Sequence, residues 1–265
     1  MPEKNVLIAF GSPFDYAALQ THFQRQPGTN YFLSVASAHR TPETVERHAH
    51  TMQYDGIVAG AGMCNALKDA YLKECGNAVL VALPVRDSRT GGLSSVLSSS
   101  EMPPGYPVAM SQADNLGAAV AFVNYALKGG FDAVRLSCDS DADSRKVCDE
   151  AVNMFNELGV SVTTDRSSRA IDVVAYTGPR LLYDFGPCIA SFASPLRNEA
   201  VLFKYLGRLR AYPFAVHTGV ADGKNLALYA SKIIARNNPA VGERINRQRE
   251  EGRKKYDNFR ELREL

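Results

Sequence analysis

Short apolar runs alternate with longer amphipathic stretches along the chain, and no other feature restricts its fold as much. In the first half Asn5–Phe10, Tyr31–Ala36, Gly56–Ala59, Ala78–Leu83 and Pro107–Met110 are rich in Val, Ile, Leu and Ala and read as strands. Between them Asp15–Gln26, Pro42–Met52, Asn65–Lys73 and Leu116–Leu127 read as helices. Strands that are apolar on both sides, alternating with helices, predict a parallel sheet covered on both faces. Pro42 suits the first turn of its helix, with Thr41 as the expected cap and Glu43 placing negative charge near the helix start.

Lys128-Gly129-Gly130 interrupts the pattern, and the same order then returns. A strand from Phe131 to Leu136 leads to a helix over Ala142–Glu157, followed by strands at Val160–Thr164, Asp172–Tyr176 and Cys188–Phe192. A helix over Leu196–Leu209, a strand over Phe214–His217 and a helix over Gly223–Ala235 complete it. The endings correspond, Pro107–Met110 before Leu116-Gly117-Ala118 against Pro213–Val216 before Gly223-Lys224-Asn225. Gly11–Asp15 similarly aligns with Ser137–Asp141. The chain therefore reads as a tandem duplication in the α/β class: two three-layer α/β/α domains, residues 1–129 and 130–265, each with a doubly wound parallel sheet of flavodoxin type. A last helix from about Ala240 to Leu265 has no counterpart in the first half.

A formal charge of +2 gives no global field that would favour nucleic acid. Arg244, Arg247 and Arg253-Lys254-Lys255 are interleaved with Glu243, Glu250, Glu251 and Glu261, the pattern of a solvated helix face. The five cysteines are widely spaced and form no CxxC pair, which argues against a disulfide framework or a zinc site and for a reducing compartment. No apolar run has the length of a membrane span, and Met1–Asn5 leads directly into a strand, so the expected location is the cytoplasm.

In open parallel sheets ligands bind beyond the C-terminal ends of strands. Three motifs fall there. Gly11-Ser12 with Asp15 offers a hydroxyl and backbone N–H groups at a helix start, a phosphate-binding arrangement that also serves as an ordinary helix cap. Ser37-Ala38-His39-Arg40-Thr41-Pro42 combines a guanidinium and hydroxyls suited to a phosphate with a histidine suited to proton transfer. Ala59-Gly60-Ala61-Gly62 lets backbone approach a ligand closely but lacks the full dinucleotide fingerprint, so no nicotinamide or flavin cofactor is inferred. His48 and His50, two residues apart on a helix, do not share a face for a metal. His217 ends a strand and suits either a rim or a hydrogen-bonded structural role.

Taken in order, these blocks resemble the phosphoribosylaminoimidazole (AIR) carboxylase and N5-carboxyaminoimidazole ribonucleotide mutase family. Leu83-Pro84-Val85, Gly92–Ser98 and Glu101–Val108 extend the resemblance over Asn5 to about Leu127. It implies de novo purine synthesis without metal or organic cofactor. Gly11, Ser12, Ser37 and Arg40 would bind the substrate phosphate, and Asp15 the ribose hydroxyls. His39 would move the proton at the imidazole C4, and the loop holding Ala61, Gly62, Asn65 and Leu67 would hold the base and carbon dioxide. Mutase-type members carry a histidine where this chain has Ala66, which favours direct carboxylation, whereas Arg40 is the mutase-like form. In the second half Cys138 replaces the expected serine, His-Arg-Thr-Pro is missing, and Thr177-Gly178-Pro179 is a relic of the glycine loop. That half is expected to serve assembly in a homo-oligomer, a tetramer of tandem chains or a dimer.

Overall fold

The computed structural model describes residues 3–18, 23–103, 105–165, 169–178, 186–195, 198–212 and 214–254. The first half runs β1 (Lys4–Phe10), α1 (Pro13–Ala18), β2 (Thr29–Val35), α2 (Pro42–His50), β3 (Gly56–Ala61), α3 (Ala66–Glu74), β4 (Val79–Pro84), α4 (Leu93–Ser100), β5 (Ala109–Met110) and α5 (Leu116–Lys128). The second runs β6 (Ala133–Cys138), α6 (Ala142–Leu158), β7 (Ser161–Val162), β8 (Ala170–Tyr176), β9 (Cys188–Phe192), α7 (Glu199–Ala211), β10 (Ala215–Val220), α8 (Gly223–Ala235) and α9 (Pro239–Lys254).

All ten strands form one sheet in the order β2-β1-β3-β4-β5-β10-β9-β8-β6-β7. Read inward from either edge, the order is the same, and within each half the pairing is parallel, as the alternation predicts. The halves meet where β5 and β10 pair antiparallel, His217 opposite Met110 and Thr218 opposite Ala109. Two separate sheets were expected; the innermost strands instead satisfy each other's edges, which leaves neither half an open apolar edge at the junction.

The core follows the sheet rather than the halves. One apolar layer joins Val6, Ile8 and Val81 to Val134 and Val173 beneath α5, α6, α8 and α9. The other joins Leu7, Ile57 and Leu80 to Val174, Ala190 and Phe192 beneath α2, α3, α4 and α7. Polar groups tie the halves further. The Tyr229 hydroxyl donates to the Leu80 carbonyl at 2.9 Å, and the Ser100 and Tyr205 hydroxyls lie 2.8 Å apart.

Several local expectations change. The first helix ends at Ala18, with Phe23–Gln26 non-helical and residues 19–22 outside the described set. Helix α4 (Leu93–Ser100), capped by Gly92, forms where the sequence predicts no helix, because its apolar positions are diluted by serines. Thr41 stands at the N-cap of α2 as expected, but its hydroxyl makes no cap bond, being taken by the Ser37 backbone, donating to the carbonyl and accepting from the N–H at 3.0 Å. The described part of the last helix ends at Lys254, so its continuation to Leu265 lies outside the described residues.

The second half has no described helix between β7 and β8. Strand β7 has two residues, so Val162, paired with Val134, ends only one residue along β6 from the level at which Ala170 begins β8 on its other side, opposite Ala133. On the adjoining strands the cross-strand pair Arg135–Asp172, with Nε–Oδ1 at 2.6 Å and Nη2–Oδ2 at 3.0 Å, provides a paired, partly solvated surface.

Candidate active site

The loops after β1, β2, β3 and β4 converge on one rim. The Gly11 N–H donates to the Gly60 carbonyl at 2.9 Å, and the Ala36 N–H to the Phe10 carbonyl at 2.9 Å, which fixes the first three loops side by side. Ser12 begins α1: its hydroxyl accepts from the Asp15 N–H at 3.1 Å and donates to Asp15 Oδ2 at 2.8 Å. The capping role and the site role thus involve the same pair.

Asp15 is the electrostatic centre of this rim. Burial pushes its carboxyl above the ordinary carboxylate range. The Ser12 hydroxyl, the Gly62 N–H and the nearby Arg40 guanidinium pull it down, while Asp87 adds to the rise. Gly62 is the residue that admits Asp15, since a Cβ there would lie 3.0 Å from Asp15 Oδ1 and 3.4 Å from the Asp87 Cβ. Gly60 serves packing instead, because its missing Cβ would sit 2.9 Å from Phe10 Cδ1.

Arg40 and His39 are set by a tight turn after β2. The Arg40 N–H donates to the Ser37 hydroxyl at 3.2 Å, and the Thr41 N–H to the Ser37 carbonyl at 2.9 Å. Ser37 therefore shapes the turn, and its hydroxyl retains a proton to donate. Both His39 and Arg40 are exposed, and neither side chain forms an ion pair or hydrogen bond among the described residues. A cation and an imidazole uncommitted at a rim beside a half-buried carboxylate suit a phosphorylated ligand and a proton transfer.

The third loop divides. Ala61 is buried at the end of β3, its carbonyl accepting from the Ser95 hydroxyl at 2.6 Å. Asn65 is fully buried; its amide donates to the Ala59 carbonyl at 3.0 Å and its N–H donates to the Ser98 hydroxyl at 3.1 Å. Leu67 packs in the apolar layer under α3. Asn65 and Leu67 thus hold the loop from behind, whereas Met63 and Cys64 are its exposed residues.

Asp87, which the sequence reading passed over, belongs to this rim. Its carboxylate accepts from the Thr90 hydroxyl at 2.6 Å and from the N–H groups of Thr90, Arg89 and Gly92 at 2.8, 2.8 and 3.1 Å. These bonds, the Thr90 hydroxyl foremost, hold its carboxyl down to about 2. Asp87-x-x-Thr90-Gly91-Gly92 is an Asx-turn pattern ending in two left-handed glycines, φ 63° and 91°, a signal that was available. Arg86 pairs with Asp114 at 2.7 Å on the neighbouring loop.

Other histidines serve packing. His48 Nδ1 meets the Ser34 hydroxyl at 2.8 Å, while His50 faces outward to Glu74 at 3.0 Å. Glu46, His50 and Glu74 come within 4.8 Å of one another at the far end of α2 from the rim. His217 is buried with Nδ1 3.2 Å from the Tyr176 hydroxyl, and burial pushes its pKa down to about 3, so it is a neutral structural ring.

The rim of the second half is built differently. The Asp139 N–H donates to the Ala175 carbonyl at 3.1 Å, the bond that Gly11 makes to Gly60, so Asp139 and not Ser137 stands in the place of Gly11. The helix cap is Asp141, accepting from the Ser144 N–H at 3.0 Å, where the first half has Ser12. Asp139 Oδ2 takes the Thr177 and Gly178 N–H groups at 2.9 and 2.7 Å, which fills the glycine-loop donors from within.

Comparison with known proteins adds an independent line. Residues 5–128 match the family model described as AIR carboxylase. An N5-carboxyaminoimidazole ribonucleotide mutase of Methanocaldococcus jannaschii is 37% identical over 106 residues, 39% of this chain and 66% of that protein. The Haemophilus influenzae mutase is 33% identical over 121 residues, 44% of this chain and 73% of that protein. A chloroplastic phosphoribosylaminoimidazole carboxylase of Vigna aconitifolia is 36% identical over 112 residues, 41% of this chain and 18% of that protein. The matched segment thus spans slightly under two thirds of the first relative and ends with the first half.

Proposed function

The chain belongs to the AIR carboxylase family, and from that premise we propose that its first half forms 4-carboxy-5-aminoimidazole ribonucleotide in purine synthesis. The observation that carries the reading is the Asp15 carboxylate, joined to Ser12 and Gly62 with Arg40 beside it and His39 free at the same rim. Ser12, Ser37 and Arg40 hold the substrate phosphate, and Asp15 accepts from the ribose hydroxyls. The electron-rich imidazole C4 attacks carbon dioxide, a carbon–carbon bond forms, and the C4 proton passes to His39. In reverse, protonated His39 returns the proton to C4 as carbon dioxide leaves.

Ala66, in place of the mutase-type histidine, favours free carbon dioxide as the carbon source. The second reading, N5-carboxylated nucleotide as substrate, is favoured by the names of the relatives in M. jannaschii and H. influenzae. Purified protein supplied with aminoimidazole ribonucleotide plus bicarbonate, or with the N5-carboxylated form, separates the two. His39→Asn should lower kcat by about 10²- to 10⁴-fold with substrate affinity retained; unchanged turnover would refute the assignment.

Residues 1–129 and 130–265 form two copies of one unit in this reading, supported by the repeated strand order. The second copy serves assembly in a homo-oligomer, a tetramer of tandem chains or a dimer. Phe14, Leu33, Met63, Phe203 and Phe214, left exposed, support such contacts. A stable monomer by sedimentation would contradict it. The five free thiols fit the reducing cytoplasm. Among the described residues no helix is long and apolar enough to cross a membrane.

A further inference from the structure

A polar cavity of about 390 Å³ lies between α8, α9 and the turns that precede β3 and β4. Asp55 and Gly76-Asn77 line it at the starting ends of strands whose other ends carry the active-site rim. The length of β3 separates the two places, roughly 20 Å at strand rise.

Two cations line this cavity without a partner of opposite charge among the described residues. Lys232 is only 7% exposed, and its Nζ has no hydrogen-bond partner among the described residues. Arg249 lies close enough to Lys232 to oppose its protonation, and burial opposes the charge on both. Neither forms an ion pair among the described residues. The remaining charged groups lining the cavity are Arg236, Asp55 and Glu243, and Arg253 and Tyr106 stand near Arg249. Arg236 and Asp55 neutralise each other at 2.5 Å, Asp55 also accepting from the Asn5 N–H at 2.9 Å. Glu243 is exposed and reaches neither free cation within ion-pair distance.

The turn is shaped around the guanidinium. A Cβ on Gly76 would lie 2.7 Å from Arg249 Nη1, so any larger residue would displace it. Burying two like charges side by side is unfavourable unless something of opposite sign joins them. Asn77, Asn246 and Gln53 add neutral donors to the same wall.

We propose that this cavity is a second ligand site, taking a phosphate-class oxyanion between Lys232 Nζ and the Arg249 guanidinium. The volume exceeds that of a single inorganic ion and matches a small phosphorylated metabolite. A bound dianion would also keep Lys232 protonated, so affinity falls as pH rises above neutrality.

Calorimetric titration of the full chain with inorganic phosphate, and separately with ribose 5-phosphate, tests this. The expected result is a binding event that survives Arg40→Ala, which removes the active-site guanidinium, and weakens at least about tenfold in Lys232→Met and in Arg249→Met. Tighter binding of ribose 5-phosphate than of phosphate identifies a phosphorylated metabolite as the occupant; equal binding identifies the free ion. Far-UV circular dichroism checks that both Met variants, which keep an unbranched apolar stem in place of each charged side chain, remain folded. Binding abolished by Arg40→Ala, binding unchanged in Lys232→Met, or no heat up to about 10 mM of either probe would overturn the proposal.

Discussion

Replacing Lys232 with Met should stabilise the protein and flatten its response to alkaline pH. Burial, with Arg249 adding repulsion, takes the Lys232 pKa from an ordinary 10.5 to about 7, which corresponds to about 5 kcal/mol between its protonation states. The unfolded chain keeps this proton up to 10.5, whereas the folded chain releases it near 7. Between those values the unfolded state binds more protons, so stability rises with pH. From pH 7 to about 9 the gain is about 2 kcal/mol in wild type. Met carries no proton, and at pH 7 its advantage is at most about 4 kcal/mol, since relaxation and water entry soften the burial of the lysine. Urea unfolding in phosphate-free buffer at both pH values measures this. The difference between variant and wild type cancels the titration of every other group. Parallel pH slopes for the two proteins, or a destabilised variant at both pH values, would show that Lys232 does not hold a buried uncompensated charge.

Three further outcomes follow from the rims. Gly62→Ala forces Asp15 Oδ1 away from a Cβ at 3.0 Å and should weaken ribonucleotide binding about tenfold, read by titration; unaltered affinity would separate Asp15 from the ligand. Asp139→Ala leaves the Thr177 and Gly178 N–H groups without their acceptor, with an expected loss of roughly 1–3 kcal/mol by urea unfolding and no change in turnover. Asp87 is held down to about 2, so its contribution to the Asp87–Gly92 loop is present above its ordinary 3.8 and lost as pH falls through about 2. Hydrogen exchange at Thr90 and Gly92 should show protection fading over that interval, and pH-independent exchange there would refute the assignment.

The parallel pairing of the first five strands, though not their order, was legible because each is an apolar run separated from the next by a helix-length segment. The join between the halves was not, since β5 and β10 meet over two residue pairs and their contact depends on the edges both halves leave open. The rim residues Ser12, Asp15 and Arg40 were legible from side-chain chemistry beside strand ends. Asn65 and Leu67 were assigned to substrate by their place in a motif, yet the path of the chain after Gly62 turns both inward. The internal alignment shifts by two residues at Gly11, which matches Asp139, and by three at the helix cap. Similarity of letters matched Asp15 with Asp141, whereas hydrogen bonding matches Ser12 with Asp141, because the second turn is one residue longer before its helix begins.

That corrected alignment gives a physical reason for the difference between the halves. In the first, a serine caps the helix and an aspartate three residues later receives its hydroxyl at 2.8 Å. In the second, the aspartate caps and Ser144 donates to it at 2.8 Å, so the same pair persists with its members exchanged. The exchange moves the carboxylate to the cap, where the Ser144 N–H and then the Thr177 hydroxyl, at 2.7 Å, hold its pKa below the ordinary range against burial, while Asp139 takes the loop's backbone donors. Among the described residues both carboxylates of that rim are then already paired, and an incoming phosphate would meet them in place of free N–H groups. The first rim has the opposite balance: a carboxylate kept at raised pKa by burial, and a guanidinium and an imidazole whose side chains make no ion pair or hydrogen bond among the described residues. A rim whose polar groups stay uncompensated is free to take a ligand, whereas a rim whose groups pair with one another adds to the stability of the fold.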